Sequence, residues 1–186
     1  MDDDAIEVAE AKGVEGVKDL LNGLSAACND DDKDPDVAEV ILDAFLRMMS
    51  PEVGDLLCEP KTFPWIGMVL EAQMEEAAVI ELLFAILTKI ITTPEKQDFF
   101  KGAADESYSS YIPLILKAME EHSEGEETLI EYACLVIEKI ALDHEENVKL
   151  FLKGGAEERL KEAESIITNA RNQKYVVQAR SALKLC

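Results

Sequence analysis

Basic residues are scarce in this chain: 18 lysines and arginines stand against 39 aspartates and glutamates, a formal net charge of −21 over 186 residues. No basic stripe is present to offset phosphate repulsion, which argues against nucleic acid as a partner and, for the same reason, against an anionic membrane surface. No apolar run is long enough to span a bilayer, and the first residues, MDDDAIEVAEAKG, carry acids where a secretory leader carries bases. The expected compartment is the cytoplasm, with the nucleus as the alternative. Only two histidines occur, His122 and His144, and neither has a nucleophile or a metal ligand at a recognisable spacing. A glycine-rich phosphate loop is also missing. The expectation is a non-enzymatic protein with no cofactor and no metal.

Cysteine is sparse as well. Cys28, Cys58, Cys134 and Cys186 have no paired short spacing, and Cys28 and Cys134 fall within apolar helical patterns. Buried reduced thiols are expected, not disulfides or a zinc site. A terminal cysteine, as in Leu183-Lys184-Leu185-Cys186, is not the usual prenylation signal. The alternating Asp30, Asp32 and Asp34 invite comparison with a calcium loop, but the sixth position, which needs glycine, is Pro35, and the twelfth, which needs glutamate, is Ile41. Asp34 before Pro35 reads instead as a helix cap.

What the chain does have is helical periodicity, supported by 48% apolar content, enough for a sizeable core. Between Glu126 and Gly155, the residues Leu129, Ile130, Ala133, Val136, Ile137, Ile140 and Ala141 share one wide face of a helix. Asp143 is expected to cap a shorter helix that begins near His144 and ends at Gly154-Gly155. The unit recurs. An offset of fifty residues brings Val79, Ile80, Glu81, Ile86, Leu87, Lys89 and Ile90 onto Leu129, Ile130, Glu131, Val136, Ile137, Lys139 and Ile140. An offset of forty-two brings Val37, Ala38, Glu39, Ile41, Ala44, Phe45 and Arg47 onto Val79, Ile80, Glu81, Leu83, Ile86, Leu87 and Lys89.

The corners Ser50-Pro51-Glu52, Thr93-Pro94-Glu95 and Asp143-His144-Glu145 each open with a side chain able to cap. Long helices are expected over Asp36 to Met49, Glu76 to Ile91 and Glu157 to Arg171, with a shortened copy over Lys174 to Cys186. A helical repeat of this period is the signature of an α-solenoid.

The pattern resembles the armadillo family, with HEAT repeats as the competing subtype. Asn147 to Gly155 resembles the first helix and Gly-Gly corner of that family's repeat, Ile112-Pro113-Leu114-Ile115 the start of its second helix, and Glu138-Lys139-Ile140-Ala141 the end of its third. The resemblance implies an all-α, right-handed α-solenoid of about four imperfect repeats, forming a single domain over 1–186. It further implies a scaffold or adaptor that binds a partner protein or extended peptide along the groove of its long helices. In the family, an asparagine of each third helix holds the peptide backbone. Here the corresponding positions are Arg47, Lys89 and Lys139, cations that favour carboxylates or carbonyls of a partner. Glu39, Glu81 and Glu131 precede them by eight residues and share the candidate surface.

Trp65, the only tryptophan, is either a partner anchor or a core residue at a helix start. The alternative function is a structural subunit held through the ends of the array. There, the apolar tip at Leu185 and Cys186 would favour self-association through the C-terminal end.

Overall fold

The structure is a computed structural model that describes residues 1–29, 33–102 and 109–185. It is all-helical, with no strand among the described residues. Asp30, Asp32 and Cys186 lie outside them. Asp34 is an N-cap, its carboxylate accepting from the Val37 amide at 3.1 Å. The backbone groups into two compact units, 1–90 and 91–186, each with its own packing.

In the first unit, α1 (Asp3–Ala11) leads through a short 3₁₀ turn into α2 (Val17–Ala27), followed by α3 (Pro35–Met48), α4 (Pro51–Leu57), α5 (Trp65–Ala72) and α6 (Ala77–Ile90). The long helices α3 and α6 pack side by side, and α2, α4 and α5 pack against them. Phe45, Phe84, Leu20 and Leu24 are fully buried among these elements. Each α3 or α6 position with an apolar side chain at the 3.6-residue spacing adds its area to this core, about 25 cal/mol for each Å² removed from water.

In the second unit, α7 (Pro94–Asp98) runs into a 3₁₀ turn, followed by α8 (Ile112–Glu121), α9 (Glu127–Ala141), α10 (Glu145–Lys153), α11 (Ala156–Ile166) and α12 (Gln173–Ala182). Here α9 packs along α12, while α8, α10 and α11 pack against α9. The Gly-Gly corner between α10 and α11 has a separate reason for each residue. Gly155 takes φ +90°, a left-handed conformation in which an L side chain is strained. A Cβ on Gly154 would stand 2.7 Å from the Leu116 Cδ1.

Three local expectations are corrected. His144, not Asp143, caps α10: its Nδ1 accepts from the Asn147 amide at 3.2 Å, while Asp143 turns the corner with φ 58°. The Thr93 side chain makes no cap hydrogen bond to α7, whereas Ser50 Oγ does accept from Val53 at 3.3 Å. The charged helix expected to reach Arg171 stops at Ile166. Beyond that end the polar groups find partners outside the helix: the Glu127 carboxylate accepts from the amides of Thr168 and Asn169 at 2.8 and 2.9 Å, and Gln173 Nε2 donates to the Glu164 and Ile167 carbonyls. Those hydrogen bonds hold Glu127 below the usual carboxylate range, the Asn169 amide contributing most.

Cys28, Cys58 and Cys134 are buried thiols outside any disulfide. Burial pushes the Cys134 thiol up to about 12. Since the thiolate is the reactive form, Cys134 is expected to resist iodoacetamide at pH 8 in the folded protein and to be labelled once denaturant opens the unit. Mass spectrometry of the cysteine peptides checks this, and rapid native labelling would show that α9 is not closed over it.

Candidate functional site

Burial along the long helices repeats residue by residue. In α3, Glu39 and Val40 are exposed, Ile41 and Leu42 buried, Ala44 and Phe45 buried, Leu46 half-buried and Arg47 exposed. In α6 the same profile runs from half-buried Glu81 and Leu82 through buried Leu83, Phe84, Ile86 and Leu87 to half-buried Thr88 and exposed Lys89. In α9 it runs from half-buried Glu131 and Tyr132 through buried Ala133, Cys134, Val136 and Ile137 to half-buried Glu138 and exposed Lys139. A glutamate and a cation eight residues on therefore lie along the least covered strip of each helix. Spacings of four and eight residues stay on one helical face, and this produces the strip.

In the first unit the strips of α3 and α6 meet in a groove of about 480 Å³ that brings Glu39, Arg47 and Glu81 together. Val40, Ala78 and Leu82 give it apolar surface, and Asp43 adds a third acid. Arg47 is already engaged. Its Nε donates to Glu10 Oε1 at 2.7 Å, and its guanidinium also pairs with Asp43 one turn earlier. The Glu10 hydrogen bond is the main reason its pKa rises. The sequence suggests a row of free cations, but at α3 the cation is matched by the chain's own carboxylates, leaving the groove acidic. Asp43 and Val40 were missed by the repeat comparison, although Asp43 lies four residues after Glu39 on the same face.

The second unit places its residues differently. Lys139 borders a small cavity of about 260 Å³ with Thr93, Gln97 and Asp143. Glu131 accepts from Asn172 Nδ2 at 2.6 Å, which ties α9 to the start of α12. Lys89 is exposed in the last turn of α6.

Trp65 is 4% exposed. Its indole N–H donates to the Leu57 carbonyl at 3.1 Å, and its ring lies 6.1 Å from Phe45 at a tilt of 50°. Of its two readings, this burial fits the core residue of the first unit.

His144 Nδ1 accepts from an amide, so its Nε2 carries the proton toward Asp98 Oδ1 at 3.1 Å. Both ring nitrogens are thereby occupied. Lys101 and then His144 hold the Asp98 carboxyl below its ordinary range. Lys101 also reaches Glu146 at 3.0 Å, so these charges link α7 to α10. His122 is buried. Among the described residues, no group of three or more His, Cys, Asp or Glu is placed to hold a metal ion, and no helix is long and apolar enough to cross a membrane. Compared with known protein families, curated proteins and solved structures, the chain finds no match in any of the three.

Proposed function

We propose that the protein is a non-enzymatic interaction module, a scaffold or adaptor of armadillo-like repeats, whose long-helix surface receives a partner protein or an extended peptide. The repeated strip of α3, α6 and α9 is the observation that carries this reading, because three helices with different cores repeat one burial profile, an exposed or half-buried glutamate followed eight residues on by an exposed cation. The twelve helices among the described residues also run as four successive triplets ending in α3, α6, α9 and α12, which suits about four imperfect repeats. An extended peptide offers unpaired amides and carbonyls along its length. In the α3–α6 groove Glu39 and Glu81 accept from such amides, Arg47 donates to a carbonyl while keeping its hold on Glu10, and Val40 and Leu82 bury apolar side chains of the peptide.

A second reading, a structural subunit held through its end helices, is favoured by one feature, the unlike charge of α1 and α12.

The long-helix reading is tested by co-purification from cell extract with the intact protein and with a variant carrying Arg47→Glu, Lys89→Glu and Lys139→Glu. All three side chains are exposed, so stability should fall by no more than about 1 kcal/mol for the lost Arg47 pairs. Loss of a partner from the still-folded variant supports the long-helix surface as its docking site. Recovery of the same partners by both proteins would remove it.

A further inference from the structure

Charge is distributed unevenly between the first and last helices. Residues 1–11 carry Asp2, Asp3, Asp4, Glu7 and Glu10 and no base, whereas residues 165–186 carry Arg171, Lys174, Arg180 and Lys184 and no acid. In a chain of net charge −21 the second stretch is the exception.

Apolar exposure falls on the same two helices. Among the described residues the most exposed large apolar side chains are Val177 of α12, at 59%, and Val8 of α1, at 56%. On α12, Val176, Ala179 and Ala182 are buried in the second unit, and the opposite face carries Lys174, Val177, Gln178 and Ser181. On α1, Ile6 and Ala9 are buried in the first unit, and the opposite face carries Asp4, Glu7 and Val8. Each free face therefore holds a valine with charge of one sign within a turn of it, and the signs are opposite.

Neighbouring groups neutralise only part of this charge. Arg180 pairs with Glu164 at 3.2 Å, and Lys184 stands 3.9 Å from Glu145 with both ends well exposed. Lys174 lies over the Tyr175 ring, with Arg171 exposed just before the helix. On α1, Asp2 caps the helix and Glu10 holds Arg47, which leaves Asp4 and Glu7 facing solvent.

We propose that α12 of one copy docks on α1 of a second copy, Val177 against Val8, with Arg171 and Lys174 facing Asp4 and Glu7. A second copy is the occupant because this chain itself presents the matching face. Arg171 and Lys174 beside an exposed valine need acids beside one, and α1 supplies them in Asp4, Glu7 and Val8. In both helices the charged residue stands about one turn before the valine, so helices that cross at the valines in the same direction bring Lys174 to Asp4. The patch is small, which places the contact among weak and reversible ones. The overall negative charge of each copy opposes approach at long range, but at about 0.1 M salt the screening length is about 10 Å, so distant repulsion fades while the paired groups remain within reach. The inference does not depend on the groove between α3 and α6.

The test is sedimentation velocity on the full chain at about 0.1 M salt, from about 10 to 500 µM, a range suited to a weak contact. The native protein should show a sedimentation coefficient that rises with concentration. Two double variants, Arg171→Glu with Lys174→Glu and Asp4→Lys with Glu7→Lys, should each associate at least about tenfold more weakly, because like charges then meet across the contact. Mixing the two variants should restore association, and so should a single chain carrying all four substitutions. Circular dichroism confirms that each variant is folded, and Val177→Ser, at an exposed position, gives a charge-neutral check that should also weaken the contact. A native protein that stays monomeric throughout, double variants that associate like the native chain, or a mixture that fails to regain association would each overturn the proposal. Association that depends on α12 but ignores the charge of α1 would also overturn it, since the occupant would then be another surface.

Discussion

Replacing Trp65 by alanine is expected to lower the stability of the first unit by about 3–5 kcal/mol, the range for removing a large aromatic side chain from a packed core. Two losses combine. The vacated volume lies beside Phe45, whose ring is 6.1 Å away and fully buried, so little solvent can enter to fill it. The Leu57 carbonyl at the end of α4 also loses the indole donor that now satisfies it at 3.1 Å, and a buried acceptor left without a partner is costly in its own right. Trp65→Phe separates the two, because it keeps most of the packing and removes the N–H; a loss of about 1–3 kcal/mol is expected. Urea unfolding followed by circular dichroism measures both. An alanine variant within about 0.5 kcal/mol of the native chain, the usual range for a surface change, would mean that the tryptophan is not a core residue.

The same residue shows where a sequence is ambiguous. A tryptophan at a helix start after proline suits a core better than a binding surface without excluding the second, and the Leu57 carbonyl and the Phe45 ring are the partners that seat it in the core. Periodic features are more legible. The apolar spacing of α3, α6 and α9 and the offsets that superimpose Glu39, Glu81 and Glu131 reappear in the structure as one burial profile, because each helix is read by its own repeat of 3.6 residues. Features set by distant partners are not legible. Arg47 looks like a free cation until Glu10, on another helix, is found against it. Beyond α11, which ends at Ile166, the amides of Thr168 and Asn169 turn to Glu127, a partner that the run from Glu157 to Arg171 does not reveal. Caps fall between the two cases. Ser50 caps as its type suggests, whereas at the last corner the capping passes from Asp143 to a histidine, a residue seldom given that role.

The second large effect is expected at Asn147, which the repeat comparison treats only as the first residue of a helix motif. Asn147 is fully buried. Its Nδ2 donates to the carbonyls of Gln97 and Ile140 at 2.9 and 3.0 Å, and Gln97 Nε2 in turn donates to those of Lys139 and Leu142 at 2.7 and 3.0 Å. Two side-chain amides thus satisfy the free carbonyls where α9 ends and join α7 to that corner. Asn147 Oδ1 has no partner among the described residues, so the side chain acts here as a donor. Asn147→Leu removes both donors from buried acceptors and is expected to cost the second unit about 2–5 kcal/mol. Asn147→Asp tests the donor role more sharply, since it keeps the shape and turns a carboxylate oxygen toward the two carbonyls. Burial without a positive partner disfavours the charged form, so the folded-state pKa of that aspartate lies above its unfolded value of about 3.9. A group of this kind has its full stability below the unfolded pKa and loses it as pH rises through the folded one. The difference in unfolding free energy between Asn147→Asp and the native chain should therefore be smallest near pH 4 and grow steadily toward pH 7. A difference that does not change over that range would show that the side chain at this position meets solvent and that the carbonyls of α9 are satisfied in some other way.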